Sequence, residues 1–281
     1  MKYVALAVLT SFLFSCSNNQ RGQQEDEIYS RHLQRSVKLS IINTPIPNDK
    51  SELNLLLLND GQDLPALRIK EIVDSLYEQK RIQPLLIVAI HAGDRMQEYG
   101  IAGKPDYEQR GSRAGFYNSF IDNELLAFVK KKAGVRKFNS VAIAGWSLGG
   151  LSAFDIAWNN SDKIDKVGVF SASFWWRDLS ANDSSYSDEK NRIVIATIKA
   201  SRRKPSTKYW FFVGSQEETS DRDNDGVIDV QDDTEDVRLM LIEKGLANKD
   251  EMPLIVDRLG KHDLATWSRQ MPDFLIWAFG K

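Results

Sequence analysis

Seven short apolar runs recur along the chain, at residues 37–42, 53–59, 85–91, 141–145, 167–171, 209–213 and 254–259. Several are almost continuously hydrophobic, as strands are when a parallel sheet buries both of their faces. Between them the apolar period changes from two to about three and a half. Ile69, Ile72, Val73 and Leu76 fall at i, i+3, i+4 and i+7, which predicts one amphipathic helix. Tyr117, Phe120, Ile121, Leu125 and Phe128 predict a second, and residues 265–279 a third. Strands alternating with helices, with no internal repeat and no Pro/Ser linker after residue 36, predict one α/β domain over 36–281 with a mostly parallel, doubly wound sheet.

The start of the chain has a different character. Lys2 is followed by a mostly apolar stretch from Tyr3 to Phe14, then by Ser15-Cys16 and a polar segment rich in Asn, Gln, Glu and Arg. Such a run is too short for a membrane-spanning helix, which needs about 20 residues, and has the layout of a secretory signal. Leu13-Phe14-Ser15-Cys16 resembles a bacterial lipobox, whose cysteine takes a lipid and becomes the new N-terminus. The expected organisation is a signal peptide at 1–15 and a lipidated end with its spacer at 16–35. The expected location is the bacterial cell envelope, on an outer membrane facing periplasm or cell surface. Cys16 is the chain's one cysteine, so no intramolecular disulfide forms.

Composition adds exclusions. With 42% hydrophobic and 27% charged residues, the chain is neither a disordered tail nor a fibre. A formal net charge of −2 gives no overall basic footprint for nucleic acid. The total hides an uneven distribution, because residues 217–236 hold ten acids and a single basic residue, Arg222.

The clearest chemical signal is at residues 141–150. An apolar strand runs into Gly145-Trp146-Ser147-Leu148-Gly149, and a helix carrying Leu151 and Phe154 follows. Gly-x-Ser-x-Gly between a buried strand and a helix is the nucleophile elbow, in which the glycines permit a sharp turn and the serine hydroxyl stands above the sheet.

At this point the sequence resembles an esterase branch of the α/β-hydrolases that includes enterochelin (siderophore), feruloyl and acetylxylan esterases, S-formylglutathione hydrolase and mycolyltransferases. Five blocks carry the resemblance in the branch's order. They are residues 56–62 (LLLNDGQ), 94–99 (DRMQEY), 145–150 (GWSLGG), 170–176 (FSASFWW) and 260–263 (GKHD). The resemblance implies the α/β-hydrolase fold and a serine esterase. His262 would be the base, because the triad order serine, acid, histidine needs a histidine after Ser147 and no other follows it. His32 lies in the spacer, and His91 reads as a satisfied polar group at a strand end.

The resemblance places the acid just beyond Gly214, on Glu217, with Glu218 and, more remotely, Asp221 as alternatives. The oxyanion would be held by the backbone N–H of Leu148 and, by resemblance, that of Gln62 after the Asp60-Gly61 turn. Trp175 and Trp176 match an aromatic pair that lines the branch's substrate cleft; the core is the alternative place for them. Arg95, Glu98 and Tyr99 match a block read as ordering a loop.

Residues 221–232, DRDNDGVIDVQD, carry acids at loop positions 1, 3, 5, 9 and 12 with glycine at 6. This is the spacing of an EF-hand loop, in which oxygens converge on a hard cation and glycine permits the turn. The expectation is a structural Ca2+ held by Asp221, Asp223 and Asp225, by the Val227 carbonyl, by Asp229 through water and by Asp232. An aspartate at the last position resembles the dockerin-type variant. The loop begins three residues after Glu218, so an ion here would fix the path of the segment bearing the acid. The sequence therefore predicts a lipid-anchored serine esterase acting on small-molecule or glycan-linked esters, or on a siderophore ester. The contrasting reading is a calcium-ordered binding module that keeps the fold without turnover, and transfer of the acyl group to another alcohol is a third.

Overall fold

The computed structural model describes residues 22–281. Cys16 and the signal and lipobox expectations lie outside the described residues. Among these residues no helix is long and apolar enough to cross a membrane.

The chain builds strands β1 (Gly22–Ser30), β2 (Arg35–Asn43), β3 (Asn54–Leu58) and β4 (Leu85–Ile90). It continues with β5 (Val141–Trp146), β6 (Lys166–Phe170), β7 (Lys208–Gly214) and β8 (Leu254–Asp257). They form one sheet in the order β1-β2-β4-β3-β5-β6-β7-β8. β1 and β2 run antiparallel to their neighbours and β3 to β8 are mutually parallel. Helices α1 (Leu64–Leu67) and α2 (Ile69–Glu78) follow β3, and α3 (Arg95–Glu98), α4 (Ala114–Phe120) and α5 (Leu126–Ala133) follow β4. Between α4 and α5 one π turn, Ile121–Leu125, keeps the predicted second helix continuous. The remainder are α6 (Leu148–Asn159), α7 (Asp188–Asn191), α8 (Ile193–Ala200), α9 (Asp229–Glu243) and α10 (Leu264–Phe279).

Successive strand residues face opposite sides, so each continuous apolar run feeds two cores at once. Leu55 and Leu57 of β3 join one cluster with Phe120, Leu151, Ile195 and Val237, while Leu56 and Leu58 join another with Val73, Met271 and Phe274. The first lies beneath α4 to α6, α8 and α9, and the second beneath α1, α2 and α10. This is the mostly parallel, two-sided α/β sheet that the hydrophobic pattern predicts.

One boundary is corrected. Residues 22–30 do not serve as spacer: they pair along their whole length with β2, from Gly22↔Asn43 to Ser30↔Arg35. The strand is stabilised by backbone ladder bonds and by contacts such as Ser30 Oγ donating to Glu124 (2.6 Å), with almost no apolar burial of its own. His32 therefore sits in the turn between two strands.

The chain passes from β3 to β4 on one side of β3 and then crosses to β5 on the other. The carboxyl ends of β3 and β5 thus flank the point where the winding direction changes, where open α/β sheets form their ligand crevice.

Candidate active site

Ser147 stands between β5 and α6 with φ 54° and ψ −126°, a positive-φ conformation that costs a non-glycine residue energy. Close packing enforces this turn. A Cβ on Gly145 would lie 2.4 Å from the Gly149 carbonyl oxygen, and one on Gly149 2.5 Å from Asp60. The two glycines of the motif are therefore required by contact distance. The serine N–H donates to the Phe170 carbonyl (2.9 Å), which ties the elbow to β6.

His262 lies in the short connection between β8 and α10 and is exposed. Its Nδ1 is 2.7 Å from Glu217 Oε2, leaving Nε2 without a protein partner among the described residues. The Glu217 side chain is almost wholly buried, at 1% exposure. Its other oxygen accepts from Ser171 Oγ (2.5 Å) and from the Gly214 N–H (2.6 Å). Ser171 in turn accepts from Trp267 Nε1 (2.9 Å), and the Trp267 ring packs edge-on against His262 with centroids 5.0 Å apart. Trp146 stacks on the same indole at 6.0 Å. The carboxylate and the imidazole are thus fixed by residues from β6, β7 and α10.

The alternative acid points elsewhere. Glu218 accepts from the Val230 N–H (2.7 Å) in the first turn of α9, and burial pushes its carboxyl above the ordinary range. It caps a helix, while its neighbour reaches the histidine. Asp221 has its carboxylate on the N–H groups of Asp225 and Gly226, at 3.2 and 3.0 Å.

The segment after β3 is locked against the elbow. Asn59 Nδ2 donates to the Gly149 carbonyl (2.8 Å) and Asn59 Oδ1 accepts from Tyr117 Oη (2.7 Å). Asp60, fully buried and left-handed at φ 57°, takes a two-pronged contact from Arg95 (2.8 and 3.0 Å), and its N–H donates to Tyr99 Oη. Glu98 is held by Arg35 (2.7 and 2.6 Å). The Arg95, Glu98 and Tyr99 block therefore does order a loop, and Asp60 is its partner. Gly61 admits no side chain, since a Cβ would come within 2.8 Å of the Ala89 backbone. The next residue is Gln62, whose side chain is taken up by Asp60 and by the Ala92 N–H. Among the described residues the backbone N–H groups of Gln62 and Leu148 have no hydrogen-bond acceptor, and both stand at helix starts beside the elbow.

Ser147 and His262 line two adjoining depressions. One, of about 280 Å³, is completed by Ser173, Trp175, Glu218 and Val230. The other, broader, is completed by Gln62, Asp63, Arg95 and Trp267. Trp175 lines the first of these depressions beside Ser147 and His262. Trp176 does not: it is fully buried, packs against Gly100 and Gly111, and donates Nε1 to the Lys104 carbonyl (3.3 Å). The glycines at 100 and 111 open a slot for the indole, so the second tryptophan of the pair belongs to the core. His91 bonds Ser40 Oγ (2.8 Å), and burial lowers its pKa, as for a structural histidine.

The acidic loop brings Asp221, Asp223 and Asp225 together, with one oxygen of each within 4.8 Å of the others. Gly226, at φ 91°, makes the turn and has open space around it. The Asp232 carboxyl is pushed up to about 6 by burial and then by the charges of Asp225 and Asp223. Asp229 departs from the expected set, because Arg222 engages it through its N–H (2.9 Å) and its guanidinium (3.5 Å). The donor chemistry of Asp221, Asp223 and Asp225 fits a hard divalent cation, Asp232 lies close enough to feel two of those charges, and Asp229 is tied to the loop's own arginine.

Ser171 and Trp267 are site residues that sequence reasoning did not assign. Ser171 lies inside one of the five blocks, but its left-handed backbone (φ 46°) and its contact across to β7 have no sequence signature.

Comparison with known proteins agrees with this architecture. The profile of the family described as "Putative esterase" matches residues 30–278. An uncharacterised protein of Bacillus subtilis, YbbA, is 25% identical over 240 residues, covering 83% of this chain and 88% of that protein. The enterobactin esterase of Shigella flexneri, solved in the presence of enterobactin, superposes with a TM-score of 0.71 at 20% identity. The match covers 91% of this chain but 58% of that one, so the chain spans little more than half of the Shigella protein. A ferulic acid esterase superposes at 0.66 with 18% identity, over 93% of this chain and 99% of that one.

Proposed function

Because the chain belongs to the Putative esterase family, we propose that it is a serine esterase that hydrolyses carboxylic esters through an acyl-enzyme on Ser147. Family membership supports ester hydrolysis as the reaction class. The observation that carries the serine mechanism is the constellation around the elbow. A strained Ser147 shares its depressions with His262, and the Nδ1 of that histidine is bound to a buried, three-fold hydrogen-bonded carboxylate.

A serine hydroxyl needs a base at neutral pH. Glu217 holds Nδ1 protonated, so Nε2 is the lone-pair nitrogen and can take the Ser147 proton as the oxygen attacks the ester carbonyl. The imidazolium that forms is stabilised by the Glu217 carboxylate. The unpartnered N–H groups of Leu148 and Gln62 receive the oxyanion, reinforced by the positive end of α6. Collapse of the tetrahedral intermediate breaks the bond to the alcohol, which leaves with the proton from Nε2. Water then repeats the sequence on the acyl-enzyme and releases the acid. A smaller depression bounded by Trp175 and Val230 beside a broad open one suits an ester with one compact half and one extended half, such as an acyl group on a carbohydrate or a siderophore ester. Turnover of short aryl esters by the native protein and by Ser147→Ala tests the proposal.

We also propose a structural calcium ion and a lipid anchor. Calcium at Asp221, Asp223, Asp225 and Asp232 would neutralise the converging charges and stiffen the segment between Glu218 and α9; it supplies no step of the chemistry. Lipid on Cys16 would tether the enzyme to a membrane of the cell envelope. Radioactive palmitate should label the native chain expressed in a bacterial host and not Cys16→Ala; equal labelling of both would remove the anchor.

A further inference from the structure

The two ends of the sheet differ in charge. The parallel strands begin at one end, and the site lies at the other. The connections at the strand-starting end are residues 44–53, 79–84, 134–140, 160–165, 201–207, 244–253 and 280–281. They hold twelve Lys and Arg against six Asp and Glu, a balance of +6. The connections at the site end (31–34, 59–68, 91–113, 171–187, 215–228 and 258–263) hold ten basic and fourteen acidic residues, a balance of −4. At the basic end the charge is concentrated in Arg136-Lys137 and Arg202-Arg203-Lys204, all exposed. Among the described residues none of these five is paired with a carboxylate within salt-bridge distance. The loops that carry them are joined to their neighbours: Asn139 bonds Gln83 (3.2 Å), Arg203 bonds Asn159 (3.0 Å) and Ser206 bonds the Ser161 carbonyl (3.2 Å).

The entry point of the chain is at the same end. β1 is antiparallel to β2, and Gly22 pairs with Asn43, which leads directly into the strand-starting connections. Ser30, at the other end of β1, lies toward the site, roughly 27 Å away by strand rise. Only five residues separate Cys16 from Gly22, a tether of at most about 20 Å.

We propose that the basic underside of the sheet is a docking surface for an anionic phospholipid membrane, which holds the ester site facing away from the bilayer toward water. Anionic headgroups attract clustered Lys and Arg within a Debye length, and a basic face next to a lipid anchor provides a second contact that fixes orientation. The acidic mouth is repelled by the same headgroups. Esters presented from the aqueous side therefore reach Ser147, and bilayer lipids do not. The geometry of the tether rests on the anchor proposed above, whereas the charged face stands without it.

The test uses the mature chain from residue 16 carrying Cys16→Ala, so that no lipid contributes. It is sedimented with vesicles of phosphatidylcholine alone or containing about a third phosphatidylglycerol. The expected result is binding to the anionic vesicles at least about ten-fold tighter than to the neutral ones. Half-molar salt should abolish it, and Arg136→Gln, Lys137→Gln, Arg202→Gln and Lys204→Gln together should weaken it about ten-fold or more. Turnover of a soluble ester should be unchanged on the vesicles. Equal binding to both vesicle types, or full retention by the four-fold variant, would overturn the docking surface. Loss of turnover on binding would overturn the orientation. A chain that binds as expected but turns over no ester in solution would count against the esterase reading alone.

Discussion

Glu217 accepts three hydrogen bonds, one from His262 and two from groups that belong to the scaffold. Its burial makes each of them count, since an acceptor out of water that loses a donor is not compensated by solvent. Glu217→Gln keeps the size but can present an N–H to Nδ1 and favour the wrong tautomer. A loss of about 10³–10⁴ in kcat with KM little changed is expected. Ser171→Ala removes one donor and leaves the other two, so kcat should fall about ten-fold. Comparing pH-independent kcat for the two variants checks the order; a Ser171→Ala enzyme as slow as Glu217→Gln would show that the Ser171 contact, not the carboxylate, sets the imidazole. The candidate serine and histidine were legible because each proposed role has a position in chain order. The choice between Glu217 and Glu218 was not, because adjacent loop residues differ only in which way the backbone turns them. Glu218 turns to cap α9.

At the level of elements, the parallel strands were legible because burial on both faces leaves a continuous apolar run. β1 was not, since GQQEDEIYS is polar and its pairing depends on the partner's free edge more than on its own side chains. α9 was hidden similarly, because its first turns carry the same acids that signal the cation loop. Trp176 was indistinguishable from Trp175 in sequence, and only the slot beside Gly100 and Gly111 separates core from cleft. Asp221, Asp223 and Asp225 repel one another when no cation is present, and the loop joins Glu218 to the start of α9. EDTA should therefore lower Tm by several degrees and reduce turnover, with Ca2+ restoring both, and Asp223→Asn should remove the response. An unchanged Tm on chelation would remove the calcium site.

Among the described residues several buried acids take no part in the chemistry, and of these Asp155 alone has no arginine partner. Asp155 of α6 is fully enclosed, accepting from the Ala102 N–H (3.0 Å), Asn118 (2.7 Å) and Asn159 (3.0 Å). Burial outweighs these donors and pushes its carboxyl up to about 6 from 3.8. The folded form therefore holds this proton more tightly than the unfolded form. The resulting stability is complete below about pH 4 and is lost as pH rises through 6, about 3 kcal/mol in all. Urea titrations between pH 4 and 7 should show this decline as one contribution to the slope, and Asp155→Asn should flatten it whatever its effect on the absolute stability. An identical slope in the variant would assign the decline to other groups.

The proposed mechanism rests on Ser147 in its strained turn and on the His262 imidazole oriented by Glu217. The most direct measurement is the turnover of a short aryl ester by the native protein and by a folded Ser147→Ala variant at equal concentration. Loss of the nucleophile should reduce kcat/KM by at least about 10⁴-fold, leaving the slow background of the remaining binding groups. Equal rates in the two proteins would contradict the account.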